Sequence, residues 1–249
     1  RITIETNNTL RVANTSPTAA SSGADMNGRA TQIACRAIID RLRDVAAKIL
    51  EVNVDRVKIS TDTVILDGKA TEVGWDRLVS EAYFMRVSLS EQAHYATPKI
   101  HFDRESEKGE PFAYHVYGSA VIETTVDCLR GTYTVDRVGI VHDAGRSLNP
   151  VVDMGQREGG LVQGIGWMTM EELLFSDGRN LTDTLSTYKI PDILCTPEIK
   201  GHFLEDADNP NAVMRSKAIG EPPLMYGIGA YFALLDALKT FRPDREAFF

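Results

Sequence analysis

The sequence predicts an α+β fold, in which helical and strand patterns occupy separate parts of the chain. Between residues 33 and 49, apolar side chains recur at spacings of one, three and four, as in an amphipathic helix. β-Branched and aromatic residues dominate two segments in the middle of the chain, which indicates strands. A last apolar segment follows Pro222-Pro223, and proline is tolerated where a helix begins.

Composition and charge exclude several classes of protein. The 249 residues are 43% hydrophobic and 25% charged, which is ordinary for a soluble globular protein. A net charge of -8 without a basic stripe argues against nucleic-acid binding. The longest nearly apolar stretch, residues 228–235, is far shorter than the roughly 20 residues that cross a bilayer. We therefore expect neither a nucleic-acid nor a membrane partner.

The three cysteines do not form a recognisable metal or disulfide pattern. Cys35, Cys128 and Cys195 are widely separated and lie outside any CxxC spacing. We expect reduced thiols in a cytoplasmic protein, and no iron–sulfur or zinc site in this chain.

The first half of the chain carries four local patterns. Residues 2–6 alternate apolar and polar side chains and predict a strand, and because this strand follows Arg1 rather than Met, we expect a longer chain. Asp25 is the predicted N-cap of the first long helix. Residues 75–85 predict a short helix, and residues 87–95 predict a strand.

The middle of the chain predicts a β-hairpin. Residues 112–126 and 132–142 alternate or carry β-branched and aromatic side chains. Leu129-Arg130-Gly131 between them is typical of a turn.

Pro150 begins the next predicted helix, which is rich in glycine. Gln156, Gly160 and Gln163 would share one face of it. Five glycines occur among residues 149–166, and each costs a helix roughly 1 kcal/mol relative to alanine. Close packing against another backbone or a ligand would offset that cost. Neither GxGxxG after a strand nor GxxxxGK[ST] is present, so the pattern excludes a Rossmann or P-loop nucleotide site.

Gly220-Glu221-Pro222-Pro223 sets one acidic side chain directly before the last predicted helix, residues 224–239. Free amides at the start of a helix attract a carboxylate, and an acidic group in that position suits a general base. From these four residues alone, a surface glutamate before an ordinary helix is the alternative interpretation.

A run of small and hydroxylated residues, 14–23, precedes the first long helix. Small side chains let the backbone approach a ligand closely, and free amides before a helix attract anions such as phosphate. A solvated Ser/Thr loop is the alternative for this pattern taken alone.

Taken together, these blocks resemble the C-terminal part of the molybdenum-binding region of the xanthine dehydrogenase family. The main blocks are residues 14–28 (NTSPTAASSGADMNG), 147–159 (SLNPVVDMGQREG) and 216–224 (SKAIGEPPL). Shorter blocks at residues 96–98, 117–118, 127–128, 171–173 and 186–191 agree in order and spacing. The resemblance covers nearly the whole chain.

The resemblance implies a role for two polar side chains. Glu221 corresponds to the family's general base, which deprotonates a hydroxyl on molybdenum. The oxygen then attacks an electron-poor carbon while hydride moves to a sulfido ligand. Gln156 corresponds to a hydrogen-bond donor beside an oxo ligand of the metal.

The resemblance also implies a cofactor cradle. Ala20, Ser21, Ser22 and Gly23 occupy the stretch whose backbone and hydroxyls hold the pterin and its phosphate in this family, and Ala19 and Ala20 border the substrate pocket. Gly23 replaces a serine often found there, so we expect only backbone contacts at that position. No residue of this chain is expected to ligate the metal directly.

Several family motifs are absent from the sequence. It contains neither the upstream glycine-rich FG block nor the MGQG block that complete pterin binding, nor the charged residues that orient a purine. We therefore expect residues 1–249 to be the C-terminal part of a molybdopterin-binding domain. Either this chain is a fragment of a longer one, or another chain carries the missing half.

The resemblance thus predicts part of a xanthine dehydrogenase-type hydroxylase that acts on a purine or another N-heterocycle. Iron–sulfur and FAD modules on other segments would pass electrons to NAD or oxygen, and the enzyme would form a homo-oligomer. We expect the isolated chain to be inactive and to bind no cofactor stably. The alternatives are a related enzyme that acts on aldehydes or other N-heterocycles, and a non-catalytic remnant that serves as an interaction module.

Overall fold

The computed structural model describes residues 2–5, 18–205 and 207–244. The chain forms two compact units, one of residues 24–113 and one that joins residues 1–23 to residues 114–249. Each unit mixes helices with strands around its own apolar core, which confirms the predicted fold class.

The described residues contain four α-helices and ten strands. The helices are α1 (Arg29–Ile49), α2 (Trp75–Phe84), α3 (Pro150–Thr169) and α4 (Ile228–Phe241). The strands are β1 (Val57–Ser60), β2 (Thr63–Leu66), β3 (Lys69–Gly74), β4 (His101–Asp103), β5 (Lys108–Glu110), β6 (Gly118–Asp127), β7 (Thr132–His142), β8 (Phe175–Ser176), β9 (Arg179–Asn180) and β10 (Glu198–Phe203). Shorter turns are π-helical at Ala24–Gly28 and 3-10 at Val54–Arg56, Val213–Arg215 and Pro222–Gly227.

The unit of residues 24–113 packs two helices with a small antiparallel sheet. The sheet has the order β1-β2-β3, and β4 pairs with β5 separately. Leu42, Val45, Val57 and Leu78 lie in the core that α1, α2 and this sheet share. Burial of such side chains contributes roughly 1.5–3 kcal/mol each and holds these elements together.

The unit that contains residues 114–249 is built on a three-stranded sheet. β6 and β7 form the predicted hairpin, with one register shift between Glu123 and Thr124. β10 lies parallel to β7, so the sheet order is β10-β7-β6. Ile140 from β7, Leu161 from α3 and Ala230 from α4 belong to one buried cluster. α3 and α4 therefore pack on the same core as the hairpin.

Glycines in α3 allow the backbone of the Pro222–Gly227 turn to pack closely against the helix. A Cβ on Gly160 would lie 3.0 Å from the Cβ of Pro223, and a Cβ on Gly164 would lie 2.1 Å from the carbonyl oxygen of Leu224. On the other side, a Cβ on Gly227 would lie 2.3 Å from the carbonyl carbon of Gly164. The predicted backbone packing is confirmed at these positions, and it seats the turn that follows Glu221.

Several local predictions are confirmed by the structure. The helix predicted at residues 75–85 is α2, the strand predicted at 132–142 is β7, and α3 begins at Pro150. The side chain of Asn149 caps α3 by accepting a hydrogen bond from the Val152 amide.

The predicted strands at residues 87–95 and 112–126 need correction. Residues 87–95 form no strand, because side chains take up backbone groups there: Ser88 Oγ donates to the Ser90 carbonyl at 3.1 Å, and Arg41 Nη2 donates to the same oxygen at 3.0 Å. The strand predicted from residue 112 begins only at Gly118, which pairs with His142 where β7 ends. Residues before Gly118 therefore have no partner along β7.

Predicted helix starts also needed correction. Asp25 lies inside the π-helical turn, and Gly28 is the N-cap residue of α1. The last helix begins with the 3-10 turn at Pro222–Gly227, and α-helical geometry starts only at Ile228. Residues 2–5 form no strand, and Thr6 lies outside the described residues.

Candidate active site

The chain segment around Glu221 is shaped by the two prolines that follow it. Glu221 precedes the 3-10 turn, and its carbonyl accepts the Leu224 amide at 3.1 Å. Pro223 and Gly227 are buried against α3, whereas the Glu221 side chain is exposed and makes no capping bond to the turn. The carboxylate therefore projects from a turn that is seated firmly on its other side.

Gln156 approaches the same segment from α3. Its Nε2 donates a hydrogen bond to the carbonyl oxygen of Gly220 at 2.8 Å. The residue is exposed, although Arg157 beside it is fully buried. Gln156 thus lies on the rim of the helix and ties the residue before Glu221 to α3. A primary amide carries two N–H donors, so a second remains for a ligand.

The small-residue loop reaches Glu221 from the other end of the chain. Ser21 Oγ donates to Glu221 Oε2 at 3.2 Å across 200 residues of sequence. Ala20 and Ser21 both adopt left-handed backbone angles, with φ of 52° and 53°. Ser22 closes the loop, because its amide and its hydroxyl both donate to the Ala19 carbonyl, at 3.2 and 2.9 Å.

The structure therefore brings together three of the residues that the sequence singled out. The dipeptide Gly220-Glu221 contains the predicted base and accepts hydrogen bonds from both Gln156 and Ser21. Ala19 and Ser22 shape the loop rather than touch the carboxylate. Gly23 ends this loop, and a Cβ built on it would lie 3.4 Å from Thr18 Cγ2 rather than near Glu221. The catalytic and cofactor roles of all these residues remain predictions.

A buried ion pair that sequence reasoning missed supports the segment that leads to Glu221. Lys217 Nζ pairs with Asp143, and it also donates to the His115 carbonyl at 3.1 Å. The next amide, of Ala218, donates to Tyr114 Oη at 3.0 Å. Lys217 lies within the SKAIGEPPL block, but its partner Asp143 follows β7 and has no signal in the sequence.

A second polar pair, His142 and Tyr226, connects the end of β7 to the 3-10 turn that follows Glu221. His142 is fully buried, and its Nδ1 lies 2.6 Å from Tyr226 Oη. Burial lowers the pKa of His142, and the charge of Arg157 lowers it further, although Asp143 acts in the opposite direction. Burial raises the pKa of Tyr226 above its usual range. Both side chains are therefore neutral at neutral pH and join β7 to the turn through one hydrogen bond.

The loop at residues 19–22 has features that fit a phosphate-bearing cofactor. In the described part of the chain, the amides of Ala20 and Ser21 donate to no protein acceptor. Consecutive free amides in a turn are a common way to hold an anion. The alanines leave room for close approach of a ligand to this backbone. Within the described ranges, no cluster of three His, Cys, Asp or Glu side chains is arranged to hold a metal ion.

A separate cavity lies away from these residues. It has a volume of about 590 Å³ and is lined by the start of β7, the C-terminal end of α3 and the segment 191–198. Glu221, Gln156 and Ser21 do not line it. The candidate site is instead an open surface of exposed polar side chains. None of the helices in the described ranges is long and apolar enough to span a membrane.

Comparison with known protein families places residues 1–197 in one of them. These residues match the model of the family described as molybdopterin cofactor-binding domain. Mouse xanthine dehydrogenase/oxidase is 40% identical over 244 residues, which are 97% of this chain and 17% of the mouse protein. Aldehyde oxidase 2 of Macaca fascicularis is 36% identical over 247 residues, which are 98% of this chain and 17% of that protein. The chain thus spans about a sixth of the length of these relatives.

Solved structures show the same fold. Quinoline 2-oxidoreductase from Pseudomonas putida 86 matches with a TM-score of 0.70 and 25% identity, over 90% of this chain and 28% of that one. The Cu,Mo-CO dehydrogenase matches with a TM-score of 0.71 and 20% identity, over 90% of this chain and 27% of that one. At 20% identity, the second likeness is evidence for the fold alone.

Proposed function

We propose that this chain, which belongs to the molybdopterin cofactor-binding domain family, is the C-terminal part of the molybdenum-binding domain of a xanthine dehydrogenase-type hydroxylase. In this proposal, residues 1–249 supply a general base and one wall of the cofactor site. Other segments of the same chain, or another subunit, supply the remaining wall together with iron–sulfur and FAD modules.

The observation that carries the proposal is the meeting of three distant segments at one dipeptide. Gln156 from α3 and Ser21 from the N-terminal loop lie 64 and 200 residues from their partners Gly220 and Glu221. Contacts at such separations depend on the fold, and this fold is the one that the relatives share. An exposed glutamate without such surroundings would need no functional explanation.

The exposed carboxylate of Glu221 suits proton abstraction. It projects from a turn that is fixed by α3, and a base must lie within about 2.6–3.2 Å of the proton it accepts. Gln156 can present its second N–H to an anionic oxygen, and the free amides of Ala20 and Ser21 can hold a phosphate. The molybdenum cofactor, when bound, supplies the redox chemistry that oxygen transfer to carbon requires.

For the substrate we propose a purine or another N-heterocycle. The identity with xanthine dehydrogenases from animals, plants and an amoeba supports a purine. The identity with an aldehyde oxidase supports an aldehyde as the second candidate. A homo-oligomer in the cytoplasm completes the proposal.

Single-turnover kinetics of the complete enzyme test the proposal. Glu221→Gln keeps the size of the side chain but removes the proton acceptor. Reduction of the molybdenum centre by substrate should therefore slow by ~10²–10⁴-fold or more. Glu172→Gln, at another exposed carboxylate of the same unit, is the matched control and should leave the rate unchanged. Comparable reduction rates in wild type and Glu221→Gln, at equal molybdenum content, would remove Glu221 from the mechanism.

A further inference from the structure

We infer that Ser21 is a positioning residue, whose hydroxyl aims the Glu221 carboxylate for proton abstraction. The inference rests on the proposed function, because it assumes that Glu221 is the base. It differs from the cofactor-binding role that the family resemblance implies for Ser21, since it assigns the side chain to the base and leaves only the backbone for the cofactor.

The contact geometry supports this division of roles. A serine hydroxyl has one hydrogen to donate, and in this chain it points to Glu221 Oε2 at 3.2 Å. That hydrogen is therefore not available to a phosphate oxygen while the contact is made. The Ser21 amide, in contrast, donates to no acceptor in the described residues and remains free for an anion.

The space around Gly220 shows that the Ser21 side chain is in van der Waals contact with the Gly220-Glu221 dipeptide. A Cβ on Gly220 would lie 2.7 Å from Ser21 Oγ and 3.2 Å from Ser21 Cβ. A side chain at position 220 would therefore have to displace the Ser21 hydroxyl. Glycine leaves room for the serine at this position, and its backbone angles do not require glycine, since Gly220 is outside the left-handed region.

The loop that carries this hydroxyl has a strained backbone. Ala20 and Ser21 are consecutive non-glycine residues with φ of 52° and 53°, a conformation that L-residues disfavour. The two hydrogen bonds from Ser22 to the Ala19 carbonyl hold the loop closed. Strain that the surrounding structure maintains is often associated with functional geometry.

Two contacts then hold the dipeptide from opposite ends. Gln156 fixes the Gly220 carbonyl to α3, while Ser21 fixes one carboxylate oxygen of Glu221. The second carboxylate oxygen of this exposed residue makes no hydrogen bond within the described part of the chain and can accept a proton. Fixing one oxygen restricts the rotation of the carboxylate and keeps the other oriented, which reduces the misplacement that slows proton transfer.

The test uses the complete enzyme with Ser21→Ala, and with Ser176→Ala as the matched control. Ser176 is an exposed serine on β8 in the same unit, and it contacts neither Glu221 nor the loop at residues 19–22. We expect Ser21→Ala to slow reduction of the molybdenum centre by substrate about 10- to 100-fold, with unchanged molybdenum content and unchanged dissociation constant for substrate. Ser176→Ala should leave the rate unchanged.

A double-mutant cycle separates positioning from an independent role. Once Glu221→Gln has removed the base, Ser21→Ala should cause no further loss of rate, because the hydroxyl acts only through that carboxylate. A crystal structure of the complete Ser21→Ala enzyme should show the Glu221 carboxylate in more than one orientation. Multiplicative losses in the double variant, or a single unchanged carboxylate orientation, would overturn the inference.

Gly220→Ala provides a second variant that keeps both hydroxyl and carboxylate. Its new methyl group would displace Ser21 Oγ, so it should reproduce the Ser21→Ala loss of rate at normal molybdenum content. Full activity of both Ser21→Ala and Gly220→Ala, with Glu221→Gln inactive, would refute the positioning role and leave the proposed function intact. Full activity of Glu221→Gln would refute the proposed function itself.

Discussion

Replacement of Gly164 by alanine tests whether α3 holds the turn that carries Glu221. A Cβ at this position would lie 2.1 Å from the Leu224 carbonyl oxygen and 3.1 Å from the Gly227 Cα. An ordinary contact begins near 3.4 Å, so the turn or the helix must move by 3.4 less 2.1, about 1.3 Å. Both neighbours are backbone atoms, which cannot rotate away as a flexible side chain can.

The magnitude follows from two opposing effects. Overpacking of a close-packed interface costs ~1–3 kcal/mol, and the forced shift at Gly164 favours the upper end of that range. Alanine gains ~1 kcal/mol over glycine in helix propensity. We therefore expect Gly164→Ala to lower the free energy of unfolding by about 2 kcal/mol. In the complete enzyme, moving the turn by about 1 Å should slow the chemical step ~10²-fold.

Gly159 provides the matched control on the same helix. A Cβ there meets nothing within 4 Å. Gly159→Ala should therefore gain helix propensity without strain, and raise the free energy of unfolding by up to ~1 kcal/mol. Urea denaturation of this chain, followed by far-UV circular dichroism, measures both variants. Equal shifts of the two in the same direction would refute the packing argument, because helix propensity alone would then account for them.

Four further outcomes are expected. Gln156→Ala should slow turnover less than Glu221→Gln does, by ~10²–10³-fold at most, because one donor is lost while the proton acceptor remains; stopped-flow reduction at matched molybdenum content decides this. Glu221→Asp should also be slow in the same assay, because shortening the side chain withdraws the base from a reaction that needs ~3 Å contact. Metal analysis of the isolated, purified chain should find little molybdenum and no hydroxylase activity, and near-stoichiometric metal with turnover would contradict the proposed half-site. Because burial lowers the pKa of His142, the unfolded chain binds a proton there that the folded chain does not. The free energy of unfolding should therefore fall as the pH drops below the pKa of an unfolded histidine, near 6.5, by at most ~1.4 kcal/mol per pH unit. His142→Asn should flatten that part of the profile of urea midpoint against pH.

Patterns among residues adjacent in sequence predicted the helices and strands whose boundaries depend on those residues alone. Pro150 marked the start of α3, and alternation with β-branched and aromatic residues marked β7 from residue 132 to residue 142. The sequence did not predict β10, because its parallel pairing with β7 joins segments about sixty residues apart, and parallel strands need such crossovers. Residues 87–95 were misassigned: they pair with no strand, and the Ser90 carbonyl accepts instead from the Ser88 hydroxyl and the Arg41 guanidinium.

The candidate site shows the same division between local and distant information. Family resemblance pointed to Glu221, Gln156 and Ser21 as separate residues, each with its own partner on the cofactor. No spacing rule connects a hydroxyl and a carboxylate 200 residues apart, so their hydrogen bond could come only from the fold. The buried pair of Lys217 with Asp143 was missed for the same reason, since a lysine in a loop is usually solvated.

The glycines of α3 position the Glu221 segment, which explains why this glycine-rich helix carries the candidate site. The 3-10 turn at Pro222–Gly227 is too short to hold a fixed position by its own hydrogen bonds. Gly160 and Gly164 let its backbone lie directly on α3, and the Gln156 side chain then reaches the Gly220 carbonyl from the same helix. Larger residues at those two positions would strengthen α3 as an isolated helix but push the turn away from it. The intrinsic cost of glycine in the helix is therefore tied to the position of the Glu221 carboxylate, and a variant that stabilises α3 at Gly164 should weaken the site that it supports.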